Sequence, residues 1–186
     1  MTSIRAATAD DARAIAEVHV ASWRTTYRGI VPDAVLDVLS VEERERRWAS
    51  SLTTRDSPSF AYVAEDEAGR VVGFASGGPR RDGDPAYAGE LYAIYLLPGA
   101  QGQGVGRRLT EAVAQHLDKR GMRSMLVRVL STNPARSFYE ALGGRYLGEQ
   151  QFEMGGATMT EVAYGWPDIR VLLEGGDDAH PSYDRD

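Results

Sequence analysis

The chain has 186 residues, of which 42% are hydrophobic and 26% are charged, and this composition is typical of one globular domain. The formal net charge of −6 argues against a general nucleic-acid-binding protein, which would carry an excess of basic residues. The absence of cysteine excludes a disulfide framework, a thiolate metal site and a cysteine nucleophile. The sequence has neither an apolar run long enough to span a membrane nor a signal-peptide core, so we expect a cytoplasmic protein without a membrane partner.

The first half of the chain predicts short helices between strands. In chain order, the patterns indicate a strand at 3–7, a helix from Thr8 to a break at 29–32, helices at 33–39 and 40–51, and strands at 59–65 and 70–77. Thr8 with Asp11, and Ser40 with Glu43, have the spacing of capping boxes, which begin helices. His19 falls on the inward face of the first helix, so we expect a core histidine with its hydrogen bonds satisfied rather than a base.

The second half contains a strand that the pattern predicts to be buried on both faces. After a polar loop at 80–88, residues 91–97 are Leu-Tyr-Ala-Ile-Tyr-Leu-Leu, an apolar run typical of a central strand. The following patterns predict a helix from 104 to 120, a strand at 124–130, a short helix at 134–142, and a strand pair at 145–151 and 159–166. By the two-residue period of a strand, Glu90 should share a face with Tyr92 and Ile94.

The order of these elements predicts one mixed α/β domain over residues 1–174. The remaining residues, 175–186, form an acidic tail that we expect to be disordered. The three histidines are scattered along the chain rather than clustered with carboxylates, so we predict no metal site.

A glycine-rich segment from Gln101 to Arg108, with the sequence Gln-Gly-Gln-Gly-Val-Gly-Arg-Arg, lies between the buried strand and the next helix. Unpaired N–H groups and the helix dipole at a helix start suit a pyrophosphate, and glycines let it approach the main chain. The residues alone leave open a flexible turn, a Rossmann dinucleotide loop or a coenzyme A loop. A Rossmann loop would have glycine where Arg107 stands, and a Walker A loop needs a Gly-Lys pair that the chain lacks.

Two motifs in this half resemble the signature of the GNAT superfamily of acyl-CoA-dependent N-acyltransferases. The first, Gln/Arg-x-x-Gly-x-Gly/Ala, is matched by Gln101, Gly104 and Gly106, and the second is the segment from Asn133 to Gly144. The order of elements agrees with the family over nearly the whole chain apart from the tail. The resemblance implies a GNAT-like single domain whose mixed, twisted sheet is splayed between its central parallel strands and flanked by helices.

The resemblance also implies acetyl-CoA as co-substrate, without a metal, in the gap between the parted strands. Backbone groups that the splay leaves unpaired would bind the pantetheine arm, because buried polar groups need partners. The implied cofactor-binding residues are Ile94, Tyr95, Leu96, Gln101, Gly102, Gln103, Gly104, Val105, Gly106, Arg107, Asn133 and Tyr139. Asn133 precedes Tyr139 by six residues where many family members have seven, which leaves the contact of Asn133 open.

The chemistry that the resemblance implies is direct transfer of an acetyl group to a primary amine, without an acyl-enzyme. Tyr139 would be the general acid, because a phenol can protonate the departing thiolate with a modest pKa mismatch. Glu90 would be the general base, since some branches of the family have a catalytic glutamate at this distance before the loop glutamine. A packed aromatic residue and a solvated strand-end charge are the respective alternatives.

The end of the first helix is where the family usually forms one wall of the acceptor pocket. We assign Trp23 and Tyr27, together with Tyr92, to substrate binding, with stacking or cation–π contact as their chemistry and helix-end packing as the alternative. The expected partner is an amine-bearing small molecule, protein or peptide, with no nucleic acid, and a homodimer fits the family. A non-catalytic acyl-CoA-binding regulatory module is the alternative function, and a nucleotide-binding protein of another fold is a further one.

Overall fold

A sheet of seven strands forms the centre of the molecule, which the computed structural model describes at residues 2–82 and 85–174. The strands are β1 (Ser3–Ala6), β2 (Phe60–Glu65), β3 (Val71–Pro79), β4 (Gly89–Leu96), β5 (Met125–Leu130), β6 (Arg145–Met154) and β7 (Ala157–Trp166). Their spatial order is β1-β2-β3-β4-β5-β7-β6. The predicted acidic tail at 175–186 lies outside the described residues.

Six α-helices of the described part accompany the sheet. They are α1 (Ala12–Thr26), α2 (Asp33–Asp37), α3 (Val41–Thr53), α4 (Val105–Lys119), α5 (Arg136–Ala141) and α6 (Val171–Glu174). The predicted mixed α/β class is confirmed, while α6 was not foreseen. Within the two described ranges, none of these helices has the length and apolar character that crossing a membrane requires.

The two predicted capping boxes differ from each other in the structure. Before α1, the Thr8 N–H donates to Asp11 at 2.7 Å and the complete box forms, although it opens a 3-10 turn rather than the α-helix itself. Before α3, the Ser40 hydroxyl accepts from the Glu43 N–H at 3.2 Å. The Glu43 carboxylate binds Arg47 instead of completing the box. A guanidinium four residues along the helix competes for that carboxylate, so only half of the second box is present.

Helices cover both faces of the sheet and make the central strands a buried layer. On one face, α4 buries a row of apolar side chains that are at most 1% exposed, namely Val105, Leu109, Val113 and Leu117. On the opposite face, Ile15 and Val18 of α1 pack against Phe74 of β3. This burial on two sides explains why β4 carries a nearly continuous apolar run.

The two central strands pair at only three positions. β4 and β5 are parallel, and residues 89–91 lie opposite residues 125–127. Beyond this fork the strands part, with β4 remaining paired to β3 and β5 to β7. The splay that the family resemblance implied is confirmed, and it leaves one edge of β4 without a strand partner.

A bulge in β4 changes which side chains of this strand lie on the same face of the sheet. Opposite β3, Gly77 pairs with Leu91 and Ser76 pairs with Ala93, so Tyr92 is an extra residue. Leu91 and Ile94 both pack in the cluster beneath α4, whereas Ala93 packs on the α1 side. The prediction that Glu90 shares a face with Ile94 is therefore wrong, because one inserted residue reverses the alternation.

The last two strands are longer than predicted. They continue to Met154 and start again at Ala157, joined by a turn at Gly155 and Gly156. Both glycines have positive φ, 59° and 78°, which supports a tight hairpin. The tip packs on the α2 region, where a β-carbon on Gly155 would collide with the Val35 side chain.

Candidate active site

A cavity of about 620 Å³ lies between the parted strands β4 and β5. Most of the predicted site residues line it, namely Tyr27, Tyr92, Ile94, Tyr95, Leu96, Gln101, Gly102, Gly104, Gly106, Arg107, Asn133 and Tyr139. Four others do not, namely Glu90, Trp23, Gln103 and Val105. Residues distant in sequence are thus brought to one cavity because the fork opens directly beside the starts of α4 and α5.

The glycine-rich segment forms a tight turn whose main chain faces the cavity. Gly102 and Gly104 have φ of 71° and 73°, and Gly104 is the N-cap of α4. Gln101 donates from its side chain to the Leu96 carbonyl at 3.1 Å, and Gln103 donates to Gly99 at 2.7 Å. These two amides hold the turn in shape, and the first N–H groups of α4 have no partner within the helix. The turn is suited to an anionic group of a ligand.

The open edge of β4 supplies main-chain hydrogen-bonding groups to the same cavity. Ile94, Tyr95 and Leu96 pair with β3 on one side, while the other side faces the gap beyond the fork. Backbone amides in such a position need partners from a ligand or from water. An extended ligand carrying amide groups can satisfy them by lying along the strand.

Tyr139 of α5 is a buried phenol that lines the cavity and is 5% exposed. Within residues 2–82 and 85–174, its hydroxyl makes no hydrogen bond. Burial, with a smaller contribution from Tyr27, raises the pKa of the Tyr139 phenol well above its ordinary value near 10. The group is therefore protonated at neutral pH and can act as a hydrogen-bond donor or a proton donor.

Asn133 lies in the turn before α5, and its side chain is engaged by the protein. Its Oδ1 accepts from the Ala135 N–H at 2.8 Å, and its Nδ2 donates to the Tyr27 hydroxyl at 3.0 Å. The residue is 6% exposed and lines the cavity. Its side chain thus links the start of α5 to the end of α1.

Glu90 is buried beneath the loop that joins β3 to β4, and only 1% of it is exposed. Arg81 donates to its carboxylate from the backbone N–H at 2.9 Å and from the guanidinium at 2.6 Å. The Arg81 guanidinium also lies over the ring of Tyr92, 4.5 Å from its centroid. The arrangement holds the loop against β4, and both carboxylate oxygens of Glu90 accept hydrogen bonds.

Arg128 of β5 is a cavity residue that the sequence reasoning missed. It lines the cavity just beyond the fork, and its guanidinium binds Asp82 at 2.5 Å and Glu161 at 3.3 Å. Arg81 and Asp82, which are consecutive in the loop, thus bind charged residues on the two strands of the fork. Arg81 binds Glu90 of β4, and Asp82 binds Arg128 of β5. A single arginine within the apolar run Met-Leu-Val-Arg-Val-Leu was the signal in the sequence.

The end of α1 contributes Ser22, Thr26 and Tyr27 to the cavity lining, while Trp23 and Arg24 lie outside it. Tyr27 lines the cavity, whereas Trp23 donates from Nε1 to the Tyr95 hydroxyl at 2.9 Å. Arg24 donates to the Leu39 carbonyl at 2.9 Å, away from the cavity. Of the three residues predicted to bind substrate, Tyr27 and Tyr92 line the cavity, whereas Trp23 contacts it only through Tyr95.

The histidines of the described part have structural surroundings that differ from the predictions. His19 is buried and stacks on Tyr95, but its Nδ1 has no partner among the described residues. Burial, aided by Arg44, lowers the pKa of His19 to about 4. His116 stacks on Phe60, with the ring centroids 3.6 Å apart. A search of the same residues finds no group of three or more histidine, aspartate and glutamate side chains suited to a metal ion.

Comparison with known proteins agrees with this geometry. The sequence model of the acetyltransferase (GNAT) family matches residues 16–144. The chain belongs to this family. It is 44% identical over 172 residues to the uncharacterized N-acetyltransferase YuaI of Bacillus subtilis strain 168, covering 92% of this chain and 96% of that protein. The protein is therefore an acyltransferase of the acetyl-CoA-dependent kind.

Two solved structures show the same fold at low sequence identity. PaiA N-acetyltransferase of Thermoplasma acidophilum, in complex with coenzyme A, has a TM-score of 0.65 at 20% identity, over 87% of this chain and 98% of that one. Ribosomal-protein-alanine N-acetyltransferase of Brucella melitensis has a TM-score of 0.66 at 23% identity, over 88% of this chain and 98% of that one. These likenesses establish the GNAT fold.

Proposed function

We propose that this GNAT protein transfers an acetyl group from acetyl-CoA to a primary amine by direct attack, without an acyl-enzyme. The observation that carries the proposal is the cavity in the fork, which combines an open strand edge, a glycine turn at a helix start and a buried protonated phenol. These are the three features that a thioester on a long amide-containing, pyrophosphate-bearing carrier requires.

The residues present fit such a carrier. The main-chain groups of Ile94, Tyr95 and Leu96 would bind the pantetheine amides along β4. The N–H groups that follow Gly104 would bind the pyrophosphate, with Arg107 adding charge at the same turn. Gln101 and Gln103 would act indirectly, by holding the turn through the contacts already described.

The transfer step needs one proton donor at the departing sulfur. As the amine nitrogen forms its bond to the acetyl carbon, the carbon–sulfur bond breaks and the nitrogen releases one proton to solvent. We assign the proton that reaches the sulfur to Tyr139, because this phenol lines the cavity, is protonated and has no internal partner in the described part. The phenol then regains a proton from solvent.

Glu90 is better suited to positioning than to acting as the base. Its carboxylate accepts hydrogen bonds from Arg81 on both oxygens and does not line the cavity. With both oxygens bound by Arg81 and neither lining the cavity, this carboxylate does not contact an amine that enters there. We therefore propose that Glu90 holds the β3–β4 loop over the fork, and that the amine enters in its neutral form.

A thiol-release assay with acetyl-CoA and a panel of primary amines tests the function. Small-molecule amines and peptide amino termini both belong in the panel, since the acceptor is a proposal at the level of its reacting group only. Release of CoA thiol with at least one amine, together with the acetylated product by mass spectrometry, is the expected result. Saturable CoA binding without turnover on any amine would instead assign a non-catalytic acyl-CoA-binding module.

The cytoplasmic location, a homodimer and the lack of a nucleic-acid partner stay predictions from the sequence.

A further inference from the structure

Two phenols at the cavity accept hydrogen bonds from other side chains, and within the described residues their own protons have no acceptor. Trp23 donates from Nε1 to the Tyr95 hydroxyl at 2.9 Å. Asn133 donates from Nδ2 to the Tyr27 hydroxyl at 3.0 Å. The two phenols therefore both accept a hydrogen bond, and each still carries its own proton.

The orientation of the Asn133 amide follows from its other contact. Its Oδ1 accepts from the Ala135 N–H at 2.8 Å in the turn before α5. Only the NH₂ group is then available on the side of Tyr27, and an NH₂ group cannot accept a proton. The Tyr27 hydroxyl must therefore be the acceptor in this pair, and its own proton has to go elsewhere.

Among the hydrogen bonds of the described residues, the Tyr27 and Tyr95 hydroxyls occur only as acceptors, in these two bonds. Burial raises the pKa of Tyr95 well above its ordinary value near 10, and it raises the pKa of Tyr27 as well. Both phenols therefore keep their protons at neutral pH. The proton of Tyr27 has no acceptor in the described ranges, and Tyr27 lines the cavity.

We propose that the Tyr27 hydroxyl donates a hydrogen bond to the carbonyl oxygen of the acetyl thioester bound in the cavity. The inference rests on the function proposed above and adds a catalytic residue to it. Asn133, which binds Tyr27, lies at the start of the helix that carries Tyr139, so both phenols serve the same end of the cavity. A carbonyl oxygen gains negative charge as the amine attacks, so a fixed donor there lowers the barrier.

Binding of acetyl-CoA and of CoA by calorimetry tests the proposal without knowledge of the amine. Tyr27→Phe removes the hydroxyl and keeps the ring that packs on Trp23, 4.8 Å between centroids. We expect the Kd of acetyl-CoA to rise roughly three- to tenfold, as for the loss of one hydrogen bond, with the Kd of CoA unchanged. An equal change for both ligands, or no change for either, would overturn the proposal.

Asn133→Asp is a second test that leaves Tyr27 in place. The carboxylate can still accept from the Ala135 N–H, but its second oxygen now accepts the Tyr27 proton and withdraws it from the cavity. We expect the ratio of the Kd of acetyl-CoA to the Kd of CoA to rise as in Tyr27→Phe. The new negative charge affects the binding of both ligands alike and therefore cancels in this ratio. An unchanged ratio contradicts the proposal.

Tyr146→Phe is the matched control, since Tyr146 is 55% exposed and does not line the cavity. This variant should bind both ligands like the wild type. If the wild-type chain bound neither acetyl-CoA nor CoA, the proposed function itself would fail. If it binds both and the variants do not change the ratio, only the role of Tyr27 fails.

Discussion

Four phenols line one cavity, and their surroundings give them different chemistry. Tyr92 donates to the Pro79 carbonyl at 2.5 Å, and Tyr95 accepts from Trp23 at 2.9 Å. Tyr27 accepts from Asn133 and has its proton free for the cavity. Tyr139 has no partner for its hydroxyl in the parts of the chain that the structure describes. We therefore assign Tyr27 and Tyr139 to the ligand, while Tyr92 and Tyr95 are bound by neighbouring groups of the protein.

Replacing Tyr139 by phenylalanine tests the proton donor. The ring contacts with Phe138 and Tyr164 survive in Tyr139→Phe, so the fold should be retained. We expect kcat to fall roughly 100-fold, within the usual range for a lost general acid, with little change in the Kd of acetyl-CoA. Thiol release under saturation and calorimetry provide the two measurements. A rate equal to that of the wild type would remove Tyr139 from the mechanism.

Glu90→Gln separates a base from a positioning residue. If Glu90 holds the loop through Arg81, the substitution lowers kcat by a similar factor at every pH. It also lowers the melting temperature, because the ion pair between the buried Glu90 carboxylate and Arg81 is lost. The measurements are the pH profile of kcat and thermal unfolding. A loss of activity confined to low pH, where the amine needs deprotonation, would instead assign Glu90 as the general base.

At the scale of elements, we expect the turn before α4 to bind the ligand through its main chain rather than its side chains. Gly104 is in the left-handed region at the N-cap of the helix, and its position leaves the first N–H groups facing the cavity. A side chain at this position would meet no atom within 4 Å, so only the backbone conformation demands glycine.

Gly104→Ala therefore tests the turn, with Gly121→Ala as its control. Gly121 ends the same helix with φ of 77° and equally open space, so the two substitutions impose similar backbone strain of about 1 kcal/mol. We expect both to lower the melting temperature by a few degrees, and only Gly104→Ala to weaken CoA binding. Equal CoA affinity in the two variants would show that this main chain does not hold the pyrophosphate.

The elements themselves were largely predictable, since their signals are local. Apolar periodicity located α4, and the unbroken apolar run located β4. The bulge at Tyr92 was not predictable, because it depends on how β3 pairs with β4 and not on the residues of β4 alone. The contact of Glu43 with Arg47, in place of the predicted capping contact, was also not predictable, because the carboxylate has two possible partners of similar strength.

At the scale of the whole molecule, His19 couples the stability of the fold to pH. It lies between α1 and the sheet, stacked on Tyr95 and near Phe74, with Nδ1 unpartnered in the described part. Its pKa of about 4 in the folded chain is below the ordinary value of 6.5. Between these values the unfolded chain binds a proton that the folded chain rejects, so the free energy of unfolding falls as the pH falls.

His19→Leu should remove this dependence. Between pH 7 and pH 4, we expect the free energy of unfolding of the wild type to fall by about 3 kcal/mol more than that of the variant. This difference corresponds to a pKa difference of about 2.5 between the unfolded and the folded chain. Denaturant unfolding of both proteins across this pH range measures the difference, because the carboxylates contribute equally to each protein. If the free energies of unfolding of the two proteins changed in parallel with pH, His19 would titrate normally in the fold.

The fork also depends on the whole molecule. Arg81 and Asp82 are neighbours in the chain, yet they bind Glu90 on β4 and Arg128 on β5. These contacts require the loop, both strands and β7 to be assembled, because Glu161 of β7 is the second partner of Arg128. No local pattern in the sequence links the four residues.

The amino-acid sequence by itself determined the order of elements, the glycine turn and the family to which the chain belongs, because periodicity, capping residues and motif spacing act over a few neighbouring residues. It also singled out Tyr139, since that residue lies within a motif. Only the tertiary structure decided which partner each polar group has. Glu90 binds Arg81 and Asn133 binds Tyr27, because a buried polar atom forms a hydrogen bond with a partner that is near in space. The separation of the two residues along the chain does not determine that partner.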